Sequence, residues 1–315
     1  MAPLLATLVV AAGCPPKDKP EVAICLAEVA GKEADEFKSG DVPADVWFAI
    51  LMRNYNRKTS QVERPVRDCS GREVGSTGDE AMEACLRGGD QAKALPEQPL
   101  TQDDLFIVPT EDGQLLVWIQ LERFENGEAM GPIALADWTK RGVAVRAIGT
   151  LRAQANRASM RLEPMGENRV LVIESQVCDP DNPKKCNRVM RFLPMAGDRF
   201  LERPLVAEDG TCLGVPEIDL YRDTTVQVGN RIRTFEMGRA IDFADGNVVI
   251  SEQVTIKDTD SSQPDAPPTV FRQANVQRPL VLGEAGIVTQ AGLWERMVSE
   301  HGSVAVRPEA APEDE

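Results

Sequence analysis

Hydrophobic positions change period part-way along the chain, and that change predicts a mainly β, α+β protein. Before residue 105 the apolar positions fall at helical spacing. Val22, Cys25, Leu26, Val29 and Ala30 follow Pro20, a favourable first-turn residue, and predict one helix. Val46, Trp47, Phe48, Ile50 and Leu51 predict a second, over 44–54. Asp79 is placed to cap a third, short helix with Met82, Cys85 and Leu86 on one face and Gly88-Gly89 as its stop. Residues 88–104 are polar and broken by Pro96 and Pro99, so they read as a long loop closing a helical N-terminal region, 21–104.

From residue 105 the period becomes two. Leu115, Val117, Ile119 and Leu121 alternate with partners on the opposite face, and Asn126-Gly127 supplies a hairpin turn. Gly166-Glu167, Gly197-Asp198, Gly229-Asn230 and Asp245-Gly246 punctuate later apolar runs in the same way. The pattern predicts on the order of ten strands. Short turns make sequential strands antiparallel, so the expected architecture is a meandering sheet, barrel-like or covered by helices. Val170 to Ile173 and Val248 to Ile250 are apolar on both faces, which argues against a single open layer. Leu293, Trp294, Met297 and Val298 predict a terminal helix stopped by Gly302, so the β domain spans 105–302. The acidic, proline- and alanine-rich residues 303–315 are expected to be disordered.

The N-terminus carries a different signal. Leu4 to Ala12 form an apolar run that stops at Gly13-Cys14, followed by Pro15-Pro16-Lys17-Asp18. The run has the length of a signal-peptide core and falls far short of the roughly 20 residues that span a bilayer. Val10-Ala11-Ala12-Gly13-Cys14 resembles the lipobox of bacterial lipoproteins. The resemblance covers the first 14 residues only and carries no information about the fold. It implies that 1–13 are a signal peptide, that Cys14 carries lipid such as palmitate, and that 14–20 are a tether. It also implies a membrane partner in the cell envelope. Pro15, not aspartate, follows Cys14, which by analogy with enteric lipoproteins favours the outer membrane, facing the periplasm or the surface.

With Cys14 set aside, six of the seven cysteines remain, an even number that reads as three disulfides in an exported chain. Cys178 and Cys186 enclose a turn-rich segment and are expected to pair. Cys69 and Cys85 flank a Gly/Ser-rich stretch whose closure is worth about 3 kcal/mol. Cys25 and Cys212 then pair by default.

Charge and composition limit the chemistry. A net charge of −15 argues against general binding to nucleic acid. Against that background Arg141, Arg146, Arg152, Arg157 and Arg161 form a locally basic stretch free of acids, a candidate contact for a carboxylate- or phosphate-bearing partner. Their mixed parity on one continuous strand would scatter them over both faces, which favours pairing with acids on neighbouring strands. Asp179 and Asp181 place oxygens at alternate positions as some calcium loops do, but lack the glycine and distal glutamate of an EF-hand; a closed hairpin tip explains them, and no metal is expected. His301, the single histidine, sits where it interacts with the C-terminal dipole of the last helix. No nucleophile, zinc, phosphate-loop or dinucleotide motif occurs, and no cofactor is expected. The leading expectation is a non-enzymatic envelope lipoprotein that binds a protein or envelope component. The alternatives are a lipid or small-ligand carrier with an apolar cavity and an exported hydrolase using paired carboxylates.

Overall fold

The computed structural model describes residues 23–28, 42–77, 79–87, 92–139, 142–155, 158–178, 186–263 and 265–302. Cys14 with its signal and tether, Gly88-Gly89, Arg141, Arg157, Asp179, Asp181 and the acidic tail lie outside the described residues. Among the described residues no helix is long and apolar enough to cross a membrane.

The chain is mostly β, with curled half-barrel sheets and a C-terminal helix. An eleven-stranded sheet contains β1 (Cys25–Glu28), β2 (Leu105–Pro109), β3 (Leu115–Ile119), β4 (Glu128–Thr139) and β5 (Gly142–Gln154), then β6 (Ser159–Met165), β7 (Asn168–Cys178) and β8 (Cys186–Ala196). Its main order is β2-β3-β4-β5, the short strand Arg199–Phe200, then β8-β7-β6. A seven-stranded sheet contains β9 (Tyr221–Val228), β10 (Arg231–Ala244), β11 (Asn247–Asp260) and β12 (Thr269–Leu282), extended at one edge by Ile287–Thr289, Leu205–Ala207 and Cys212–Gly214. Sequential long strands are antiparallel, as their short turns require. Two short strands depart from the meander: Arg199–Phe200 runs parallel to β5, and Leu205–Ala207 parallel to Ile287–Thr289.

Alternation along the strands builds one core on each face. Leu116, Trp118, Ile133 and Leu135 point into the concave side of the first sheet, where Leu151, Leu171, Ile173 and Leu193 meet them. Val117, Ile119, Ala134 and Ala136 point the other way and are covered by α1 (Ala44–Leu51) through Trp47, Phe48 and Leu51. This core therefore joins residues on both sides of position 105. Helix α1 is a single short run of aromatic and β-branched residues with no side-chain cap, so burial and not propensity holds it. Val170, Val172 and Phe192, on the outer face of β7 and β8, pack against Val248, Ile250 and Leu280 of the second sheet. Beyond them Phe235, Met237, Val254 and Ile256 are covered by α3 (Leu293–His301) through Trp294 and Met297. The short helix α2 (Glu80–Arg87) starts where Asp79 Oδ1 accepts the amides of Ala81 and Met82.

Three expectations are corrected. Residues 25–28 form strand β1, not helix; they pair with β5, Cys25 opposite Val145, and hydrogen bonding along that strand overrides their helical spacing. Two disulfide pairings change partners. Cys178 pairs with Cys186 as expected, directly across β7 and β8, but Cys25 pairs with Cys69 and Cys85 with Cys212. Closeness in sequence misleads here: β1 sets Cys25 beside Cys69, and α2 carries Cys85 to the edge strand that holds Cys212. Non-reducing peptide mapping is expected to recover these three linked pairs; a Cys69–Cys85 peptide would contradict the arrangement. Finally, the basic stretch is not one continuous strand: β5 ends at Gln154, Arg161 lies on β6, and β5 itself bulges. Ala136 pairs with Val145 and Leu135 with Ala147, so Arg146 is the extra residue of a β-bulge and the parity of the strand flips there.

Candidate functional site

Asp68 organises a tight turn. Its Oδ1 accepts hydrogen bonds from the Ser70 hydroxyl and the Arg72 amide, and its carbonyl accepts from Gly71, whose φ of +94° suits glycine. The chain then passes over the first sheet, where the Gly75 amide donates to Thr150 Oγ1 of β5 at 2.9 Å. Thr77 bonds the Asp79 carbonyl and Glu83, and α2 begins. Cys69 and Cys85 staple the two ends of this segment to different partners, one to β1 and one to the Cys212 strand. The segment becomes the wall of a cleft of about 540 Å³ whose floor is Gly149, Thr150 and Phe200. Gly149 permits the close approach of the floor: a Cβ there would lie 2.3 Å from the Phe200 carbonyl oxygen.

The cleft carries charges of both signs. Arg199 Nη1 donates to Asp68 Oδ2 at 3.3 Å and to Ser70 Oγ at 3.1 Å, tying the sheet side to the wall. Arg199 is 16% exposed and Asp68 5%, so the pair is well sheltered. Glu202 accepts from Arg87 of α2 at 3.0 Å. Burial works against the Arg87 charge, but Glu202 outweighs it and raises the pKa of the guanidinium. Arg203 donates to the Glu284 carbonyl. Arg72 and Glu73, adjacent on the wall, are exposed and make no side-chain hydrogen bond or ion pair with any described residue.

The arginines of the basic stretch lie elsewhere and face acids. Arg146 donates to Asp137 at 2.7 Å, Arg152 to Glu128 at 2.8 Å, and Arg161 to Glu163 at 2.7 Å. Arg152 also lies over the Phe124 ring. The structure thus brings these three to separate carboxylates and not to one anion pocket. Among the described residues no group of three or more His, Cys, Asp or Glu side chains is placed to hold a metal.

No protein-family model, curated protein or solved structure matches the chain. What the site can do therefore rests on its geometry.

Both sheltered carboxylates of the cleft, Asp68 and Glu202, are bound to guanidinium groups, those of Arg199 and Arg87. A carboxyl held above its ordinary range does occur, at Glu217, where burial outweighs the nearby Arg191 and the carboxylates of Glu128 and Asp219 reinforce it. Glu217 belongs to a separate charge cluster: Arg191, 3% exposed, lies 3.5 Å from it and 3.6 Å from Glu128. His301 ends α3, with its carbonyl accepting from Arg233 and its ring edge-on to Phe271. Of the four tryptophans, Trp47, Trp118 and Trp294 are buried in cores and only Trp138 is part-exposed.

The cleft was not readable from sequence. Its wall and its Arg199–Phe200 side are separated by 131 positions at the Asp68–Arg199 contact. The one local signal is the Asp68-Cys69-Ser70-Gly71 turn chemistry beside a cysteine.

Proposed function

We propose that the protein is an exported lipoprotein, held at the cell envelope through lipid on Cys14, and that it works by binding in the cleft beneath the doubly stapled segment. The observation that carries this reading is the cysteine inventory. Six of the seven cysteines form three disulfides, a usage that belongs to oxidising compartments, and the seventh stands at the end of the lipobox-like string. One further observation supports binding in the cleft over carriage of a lipid. The concave side of the first sheet is filled by Leu116, Trp118, Ile133 and Leu171, all 0% exposed, which leaves no room there for a carried lipid.

A photo-crosslinking amino acid at Ser76, on the cleft wall, tests the binding role in cells. The expected result is a discrete adduct with an envelope component from Ser76 and none from the same probe at Gln273, an exposed position of β12 away from the cleft. Adducts from neither position, or from Gln273 alone, would overturn it.

A further inference from the structure

Resting on the reading of the cleft as a binding site, we infer that its ligand is a zwitterion of the amino acid or short-peptide class. Two kinds of uncommitted group share this space. On the cationic side, Arg199 uses only Nη1 toward Asp68 and Ser70, which leaves Nε and Nη2 without a described protein partner. The Arg72 guanidinium has no described partner. On the anionic side, Glu73 has none, and Asp79 spends Oδ1 on the amides of α2 while Oδ2 accepts no hydrogen bond from the described residues.

These four side chains line one cleft without forming an ion pair with one another. A purely anionic ligand would meet Glu73 and Asp79; a purely cationic one would meet Arg72 and Arg199. A ligand with a carboxylate at one end and an ammonium at the other satisfies both sets. The planar guanidinium of Arg199 is already oriented by Asp68 and Ser70, and such a pre-positioned fork suits a carboxylate. Glu73 and Asp79 suit an ammonium, which has three donors and no acceptor. The rest of the lining mixes hydroxyls, from Ser76, Thr77 and Thr150, with apolar side chains, from Met82, Phe200 and Leu201, as a peptide with small side chains requires. The volume of about 540 Å³ lies within the range of small-ligand sites and suits a few residues of peptide.

Calorimetric titration of the full chain with trialanine, its N-acetyl form, its C-terminal amide and free alanine tests this. Trialanine is expected to bind, and blocking either end is expected to weaken it about tenfold or more, the effect of losing one charge-assisted contact. Arg72→Ala should weaken trialanine but leave the amide unchanged. Glu73→Gln should weaken trialanine but leave the acetylated form unchanged. Both side chains are exposed, so the fold should survive, as circular dichroism would verify. Stronger binding of alanine than of trialanine would point to free amino acids as the source; the reverse points to peptides. Equal binding of the acetylated peptide and trialanine, or binding of none of the four, would overturn the zwitterion inference. In that event an adduct from Ser76 keeps the cleft as a site for another ligand, and its absence removes both readings.

Discussion

Replacing Glu252 by alanine is expected to lower the unfolding free energy by about 3–5 kcal/mol, the cost of removing one partner from a buried ionic cluster. The Glu252 side chain is 0% exposed. It accepts from Arg239 at 3.1 Å and Arg278 at 3.2 Å, and its other oxygen accepts the Trp294 amide at 2.8 Å. Gly292, before α3, has no side chain to cap the helix, so a strand carboxylate does so and meets the positive end of the helix dipole. Truncation leaves two sheltered guanidinium groups without their counter-ion and an amide without its acceptor. A shift in the urea midpoint measures the loss, and a cost below about 1 kcal/mol would contradict this account of the α3 junction.

The same carboxylate makes stability depend on pH. Burial opposes the charge of Glu252, but Arg239, the Trp294 amide and Arg278 outweigh burial and hold its pKa below the ordinary range. Asp258 is held low chiefly by its hydrogen bond from Arg233, with Arg231 adding to it. Glu128 is held low because Arg191, Asn126 and Arg152 together outweigh burial. A depressed folded pKa gives stability that is present above the unfolded value near 4 and is lost as pH falls through the folded one. Glu217, raised, acts in the opposite sense, but three carboxylates oppose one. Unfolding midpoints are therefore expected to fall steadily from about pH 5 downward.

Adding a single carbon at Gly131 is expected to be nearly as damaging as losing Glu252. Gly131 lies in β4 where the chain leaving β3 passes closest, and a Cβ there would stand 1.9 Å from the Ile119 carbonyl oxygen and 3.0 Å from the Leu121 amide. Those atoms are backbone, bonded to each other across the bend, and no rotamer change relieves the clash. Gly131→Ala should cost about 3 kcal/mol, the upper end of overpacking, read as a lower urea midpoint. Gly238→Ala is the control, because its Cβ would meet nothing within 4 Å and its φ is unexceptional. That change should stay within about 1 kcal/mol of wild type. Equal effects at the two positions would contradict the approach of β3 to β4.

The strand meander was legible because its determinants are local. Gly127, Gly166, Gly197, Gly229 and Gly246 all adopt positive φ in the turns where their sequence context places them. The face made by Leu115, Val117, Ile119 and Leu121 was equally legible, since period-two spacing assigns it without knowledge of its cover, α1. What could not be read depends on distant partners. The helical spacing around Cys25 yields to an edge of β5, and Cys85 finds Cys212 at a separation of 127 positions. The bulge at Arg146 upset the parity argument for the basic stretch, though its expected outcome, pairing with acids, holds for Arg146, Arg152 and Arg161. The cleft and the Glu252 cap both join residues from separate parts of the chain, and no local pattern announces either.

The central proposal is an exported chain anchored by lipid on Cys14, and metabolic labelling with palmitate tests it most directly. Expressed in a bacterial host with its full N-terminus, the protein is predicted to take up label, and Cys14→Ser is predicted to abolish it. An unlabelled wild-type chain, or label retained in Cys14→Ser, would contradict the proposal.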